Sequence, residues 1–141
     1  MLSALSEANV EFLLVGAHAL AVHGYVRATG DLDIWVRPTP ENAARVWQAI
    51  AKFGAPHRQM TIEDFCTPDV VFQIGVAPNR LDLMTSISGV EFDSAWVNRQ
   101  AATFGPISFF VIGRNELLKN KRASGRPKDL ADVAWLEQSS E

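Results

Sequence analysis

Asp31 and Asp33, in the run TGDLDIWV (29–36), sit one residue apart inside an otherwise apolar stretch. Side chains alternate across a strand, so both carboxylates share one face, about 7 Å apart along the backbone. Two like charges about 5 Å apart, at an effective dielectric of about 20, repel by roughly 3 kcal/mol. Such a pair calls for cations, solvent or a raised pKa. Asp82, in NRLDLM, sits at the centre of a second β-rich run. If the two strands lie side by side, three carboxylates converge. Hard oxygen ligands of this kind suit Mg²⁺, which keeps its waters and takes substrate phosphates to complete an octahedron. Taken alone, a D-x-D pair is more often a solvated edge face, and a lone strand Asp a surface residue.

Neighbouring motifs sharpen the reading. In EFLLVGAHALAVHG an apolar run meets Gly16 and passes at once into a helical pattern. A Gly at such a junction lets phosphates approach the free N–H groups of a helix start. The stretch KNKRASGRPK (119–128) holds Lys119, Lys121, Arg122, Arg126 and Lys128 with no acid, in a chain of net charge −3. One concentrated basic segment in an acidic protein suggests a local anion site. Lys121, Arg126 and Lys128 have the charge to hold phosphates, although each alone reads as a solvated loop residue. Asp129 follows Pro127 in the first turn of a helix, where an acid complements the helix dipole. His18 and His23 read as part-buried residues with satisfied hydrogen bonds. Trp35, Trp47, Trp96 and Trp135 read as core, with Trp35 a weaker candidate for the wall of a base pocket. Glu63 and Asp64 read as solvated surface.

The elements that would position these residues interleave. Residues 2–9 predict a short helix, 11–16 a buried strand, 17–24 a helix ending at Gly24, and 31–36 a strand ended by Pro38. Thr39-Pro40-Glu41 is a helix start, and Ala44, Val46, Trp47, Ile50 and Ala51 form the apolar stripe of a helix running to about Phe53. TIEDFC predicts a short helix. VVFQIG and RLDLMT predict two strands joined through 76–79. VEFDSAWVNR predicts a helix, ISFFVI a strand, and 113–123 a helix interrupted by SGRP. KDLADVAWLEQ predicts a last helix with Leu130, Val133, Ala134 and Leu136 facing inward. The class is α/β (α+β): a mixed sheet with flanking helices in one domain, 1–141.

Composition sets the outer bounds. The 141 residues are 48% hydrophobic and 21% charged, the balance of a globular domain with a real core. Cys66 is the single cysteine, so neither an internal disulfide nor a zinc-finger pattern arises. A pI near 5.6 argues against a general nucleic-acid coat. No signal peptide and no apolar run of about 20 residues is read, so the expected location is cytoplasmic and off the membrane.

The segment VGAHALAVHGYVRATGDLDIWV resembles the signature of polymerase-beta-type nucleotidyltransferases. That signature is a hydrophobic residue, Gly, then Gly or Ser, a spacer, and Asp-hydrophobic-Asp-hydrophobic. Here Gly16-Ala17 is followed by thirteen residues and then Asp31-Leu32-Asp33-Ile34. Asp82 in RLDLM matches the third carboxylate. The nearest likeness is to small bacterial minimal nucleotidyltransferases and the abortive-infection toxins similar to them. These also carry Arg-x-Thr, as in Arg27-Ala28-Thr29, and a C-terminal Lys/Arg and Lys-Asp motif, as in NKRASGRPKDLADV. One departure stands out: Ala17 replaces the second Gly or Ser.

The resemblance implies a nucleotidyltransferase fold and Mg²⁺-dependent transfer of an NMP from an NTP to an acceptor hydroxyl. It implies that Asp31, Asp33 and Asp82 hold two Mg²⁺ ions, and that Asp82 also helps deprotonate the acceptor. Gly16, the backbone at Ala17, and Arg27 or Thr29 would place phosphates. Lys121, Arg126 and Lys128 would hold the outer phosphates, with Asp129 in the Lys-Asp motif. The acceptor would be RNA such as a tRNA end, a protein side chain, or a small molecule. The first two fit a toxin with an antitoxin protein as partner. Two other readings compete: a catalytically degenerate fold that binds a nucleotide or partner, which Ala17 favours, and an RNA-binding module built on 119–128.

Overall fold

The computed structural model describes residues 2–24, 32–54, 60–75 and 80–138. Six strands form one mixed sheet: β1 (Phe12–Val15), β2 (Leu32–Val36), β3 (Val71–Ile74), β4 (Leu81–Met84), β5 (Gln100–Phe104) and β6 (Ile107–Val111). Their order across the sheet is β3-β4-β2-β1-β6-β5. β2 runs parallel to β4 and antiparallel to β1, and β1 runs parallel to β6. The helices are α1 (Leu2–Glu7), α2 (Gly16–Val22), α3 (Pro40–Phe53), α4 (Phe92–Val97), α5 (Arg114–Ser124) and α6 (Pro127–Gln138), with a 3₁₀ turn over Ile62–Cys66. The expected mixed sheet with flanking helices is the observed one.

Central position explains strand composition. β1 lies between β2 and β6 and is buried along its whole length, which is why FLLV shows no alternation. Leu13, Ile34, Leu83 and Ile112 are fully buried with Leu5, Leu20, Ile50, Leu117 and Leu136 from the helices. Trp35 is core: it is 1% exposed, donates Nε1–H to the carbonyl of Thr85 at 3.3 Å, and meets Phe92 edge-on at 5.0 Å. The same side chain also borders a hollow of about 560 Å³ at the end of β2.

α3 begins and ends as its sequence requires. Thr39 Oγ1 accepts from the N–H of Asn42 at 3.4 Å, and Gly54 closes the helix at φ +86, donating to the carbonyls of Ile50 and Ala51. Its buried face differs from the expected stripe. Asn42, Ala43, Val46, Ala49 and Ile50 face inward, Ala44 and Trp47 are half-buried, and Ala51 is exposed. The rotation places Asn42 inside, where its Oδ1 accepts from the N–H of Glu11 at 2.7 Å and its Nδ2 donates to the carbonyls of Glu11 (3.0 Å) and Arg37 (2.9 Å). One side chain thus ties α3 to the start of β1 and the end of β2.

Two other expectations are corrected. β5 (Gln100–Phe104) forms in a stretch for which no element is expected, between the helix read over 90–99 and the strand read over 107–112. On α6, Leu130 is 53% exposed and Ala134 is exposed, whereas Asp129 and Asp132 are fully buried beside Val133 and Leu136. The physical cause is Lys121 of α5, itself 5% exposed. A buried ammonium requires opposite charge, and α6 presents two carboxylates to it. The 76–79 connection lies outside the described residues, but β3 and β4 are antiparallel neighbours as expected.

Candidate active site

Asp33 and Asp82 stand opposite each other on β2 and β4, in the register Leu32↔Leu81, Asp33↔Asp82, Ile34↔Leu83. Parallel neighbours lie about 4.8 Å apart, and paired residues put their side chains on the same face. The two carboxylates are therefore adjacent. Asp31, Arg27 and Thr29 lie outside the described residues. Among the described residues, no group of three His, Cys, Asp or Glu side chains is arranged to hold a metal ion.

Gly16 is built around this pair. Val15 is the β1 partner of Asp33, and Gly16 follows at φ +73. A Cβ there would meet the Asp33 carboxylate. The room that glycine leaves at the strand–helix junction is therefore taken by Asp33. Gly16 and Ala17 both line the same cleft as Asp33 and Asp82.

The cleft, about 620 Å³ in volume, also gathers Lys121, Arg126 and Lys128. The turn between α5 and α6 brings them there. Gly125 adopts φ +66 and donates its N–H to the carbonyl of Lys121 at 3.1 Å, which reverses the chain into α6. The three cations are not equivalent. Lys121 Nζ is 3.3 Å from Asp129 Oδ1 and 3.2 Å from Asp132 Oδ2, so two buried carboxylates already match its charge. Arg126 grips Asp129 with a fork, Nε to Oδ2 at 2.6 Å and Nη2 to Oδ1 at 3.3 Å, while its side chain stays 60% exposed. Lys128 is exposed. Asp129 is not among the cleft's lining residues; it is fully buried and holds two of these three cations, Lys121 and Arg126.

The electrostatics follow this arrangement. Burial alone would raise the Asp129 carboxyl, but the hydrogen bond from Arg126 and the charge of Lys121 outweigh it and hold Asp129 below the ordinary carboxylate value. The bond to Asp129 raises Arg126 above its ordinary value, and the charges of Asp129, Asp33 and Asp132 add to this. Arg126 thus feels Asp33 across the cleft.

Sequence reading missed three features. Arg80 is the residue two before Asp82, with Nε 3.4 Å from Asp82 Oδ1 and Nη2 3.4 Å from Oδ2. Its spacing, one strand repeat from Asp82, was the available signal. Ser86 and Ser88 line the cleft on a loop pinned to α5, where Asn120 Nδ2 donates to the carbonyl of Ser88 at 3.0 Å. Gly89 permits that contact, since a Cβ there would stand 2.6 Å from Cβ of Ala123. A second hollow of about 560 Å³ adjoins the cleft and shares Asp69, Ser86 and Ile87 with it. Outside the cleft, His23 Nε2 lies 2.9 Å from the carbonyl of Ile112, a satisfied histidine.

No protein-family model matches the chain, and no curated protein matches it. Among solved structures it is similar to a Thermotoga maritima protein described as a "putative nucleotidyltransferase", with TM-score 0.61 and 15% identity over 97% of this chain and 88% of that one. At that identity the likeness shows the fold, a nucleotidyltransferase-like mixed sheet. Among the described residues no helix is long and apolar enough to cross a membrane.

Proposed function

We propose that this protein is a Mg²⁺-dependent nucleotidyltransferase that moves a nucleoside monophosphate from an NTP to an acceptor hydroxyl. The observation that carries the reading is the register Asp33↔Asp82 on adjacent parallel strands, facing Arg126 and Lys128 within one cleft. A binding-only domain has no evident need for two adjacent carboxylates beside an anion-sized basic corner. The donor set fits the ion: Asp33 and Asp82 are hard oxygen ligands that leave positions for water and phosphate, and Asp31 would add a third carboxylate. Bound Mg²⁺ would neutralise phosphate oxygens and make the acceptor hydroxyl easier to deprotonate.

The chain's own residues do the rest by placement. Arg126 and Lys128 bind the β- and γ-phosphates. Lys121 acts through the cluster with Asp129 and Asp132 that fixes Arg126. Gly16, the N–H of Ala17 and, by resemblance, Arg27 and Thr29 border the phosphates. The acceptor oxygen forms a bond to the α-phosphorus as the bond from that phosphorus to the bridging oxygen breaks. Pyrophosphate leaves with the electron pair, and the acceptor proton passes to Asp82 or through it to water. Holding the reactants in line and neutralising charge account for most of such catalysis.

The hollow that adjoins the cleft through Asp69, Ser86 and Ile87 gives an acceptor room. RNA such as a tRNA end, a protein hydroxyl or a small molecule would serve, and transfer to either of the first two would suit a toxin restrained by an antitoxin protein. The test incubates the protein with each α-labelled NTP and Mg²⁺, adding total tRNA or cell extract, with Asp33→Asn alongside. Label transferred to one fraction and lost in the variant supports the reading and identifies the acceptor class. Nucleotide bound without transfer in any fraction favours the degenerate, binding-only fold.

A further inference from the structure

We infer that Arg80 is a built-in counter-ion for the carboxylate pair, seated on Asp82 in the cation-free protein and displaced toward substrate phosphate when a divalent ion binds. This rests on the metal-dependent reading above and adds a residue that the sequence motifs do not assign.

The geometry is specific. Asp82 is 8% exposed and stands beside Asp33. Without a cation the pair would place two negative charges together in a part-buried setting, a cost of several kcal/mol at low effective dielectric (about 3 kcal/mol at ε of about 20). Two guanidiniums of the same cleft offset it. Arg126, held by Asp129, lines the cleft with Asp33, and Arg80 lies against Asp82, its Nη2 donating to Oδ2 at 3.4 Å and its Nε standing 3.4 Å from Oδ1. Those oxygens are the ones a metal ion would take. Arginine and ion therefore compete for one carboxylate, and binding of the ion releases the arginine.

The released group does not leave the site. Arg80 lines the same cleft, and its side chain is 36% exposed. A guanidinium freed at that rim meets an incoming phosphate with the fork geometry that arginine suits best. The two halves of the inference give opposite signs for one substitution. Removing Arg80 strengthens binding of a metal ion alone and weakens binding of nucleotide with metal. A merely structural role would weaken both.

The test measures Mn²⁺ binding to the full chain by electron paramagnetic resonance without nucleotide, for wild type, Arg80→Ala and Asp82→Asn. Arg80→Ala should bind Mn²⁺ roughly three- to tenfold more tightly, the scale of a partly exposed ion pair plus relief of cation–cation repulsion. Asp82→Asn should bind it more weakly than wild type. A non-hydrolysable ATP analogue with Mg²⁺ should bind Arg80→Ala about tenfold more weakly. Unchanged or weaker Mn²⁺ binding in Arg80→Ala overturns the inference while leaving the transferase reading intact. Absence of Mn²⁺ binding in both proteins overturns the two together. Should Arg80→Ala fail to fold, Arg80→Gln removes the charge while keeping much of the side-chain volume, and tighter Mn²⁺ binding than wild type is again the expected result.

Discussion

A Cβ atom placed on Gly16 would stand 3.1 Å from Cγ of Asp33 and closer still to its Oδ2. The glycine and the carboxylate occupy one volume between them. Gly16→Ala therefore acts twice. It forces an L side chain into φ +73, worth about 1–2 kcal/mol, and it pushes Asp33 out of register with Asp82. The thermal midpoint should fall by roughly 5 °C, and transfer activity should fall at least about tenfold more than that destabilisation explains. Full activity in a folded Gly16→Ala protein would show that Asp33 tolerates displacement.

Asp33→Asn separates chemistry from folding. The amide fits the same space but offers no negative charge. Transfer should drop by at least roughly a hundredfold, while the thermal midpoint stays within a few degrees of wild type. Calorimetry and label transfer on one preparation check both.

Asp129→Asn should be far more costly to the fold. It leaves Lys121 and Arg126 with a neutral partner, and Lys121 is 5% exposed. Breaking a buried ion pair from one side costs roughly 3–5 kcal/mol. Urea unfolding measures the loss, and a change below about 1 kcal/mol would mean that Asp132 alone satisfies Lys121.

The same carboxylate sets a pH dependence. Its folded pKa lies below the ordinary 3.8, so the unfolded chain takes up the proton first as pH falls. The stabilisation is complete above the unfolded value and is lost as pH drops through the lower folded value. Between about pH 5 and pH 3, wild-type stability should decline more steeply than that of Asp129→Asn. Parallel declines would place the sensitivity elsewhere.

Asn42→Ala tests the tie between α3, β1 and β2. Three hydrogen bonds are lost, and the backbone groups at Glu11 and Arg37 lose their partner. The expected cost is roughly 2–4 kcal/mol by denaturant titration.

What was legible in the sequence is what short-range pattern encodes. Thr39, Pro40 and Gly54 mark α3 because capping is local. The run FLLV marks a buried strand because a central strand is apolar throughout, and LDLM reads as a strand around its one carboxylate. The nearness of Asp33 and Asp82 followed only on the assumption that their strands adjoin, and β2 and β4 do. β5 was illegible because Gln100-Ala101-Ala102-Thr103-Phe104 is small and largely exposed at the sheet edge, where no apolar alternation is required. The inward face of α6 was misread because its governing partner, Lys121, lies on another helix. A buried charge draws Asp129 and Asp132 inward against the hydrophobic pattern. Arg80, just ahead of β4, offers only its two-residue spacing from Asp82 as a signal, and the structure sets it on that carboxylate.

The strand order carries a consequence for how the protein comes to exist. Neither parallel pairing at the sheet centre is between sequence neighbours: β2 waits for β4, and β1 waits for β6, with Leu14 meeting Val111. Contacts of such long sequence separation form slowly, after loop closure has been achieved. The carboxylates and Arg80 come from the first two-thirds of the chain, and Arg126 and Lys128 from the junction of α5 and α6. A nascent chain that has left the ribosome only as far as β4 would carry both aspartates yet have neither Arg126 nor Lys128 to face them. The cleft is completed only after synthesis has passed Lys128, so a partly made chain lacks its basic wall.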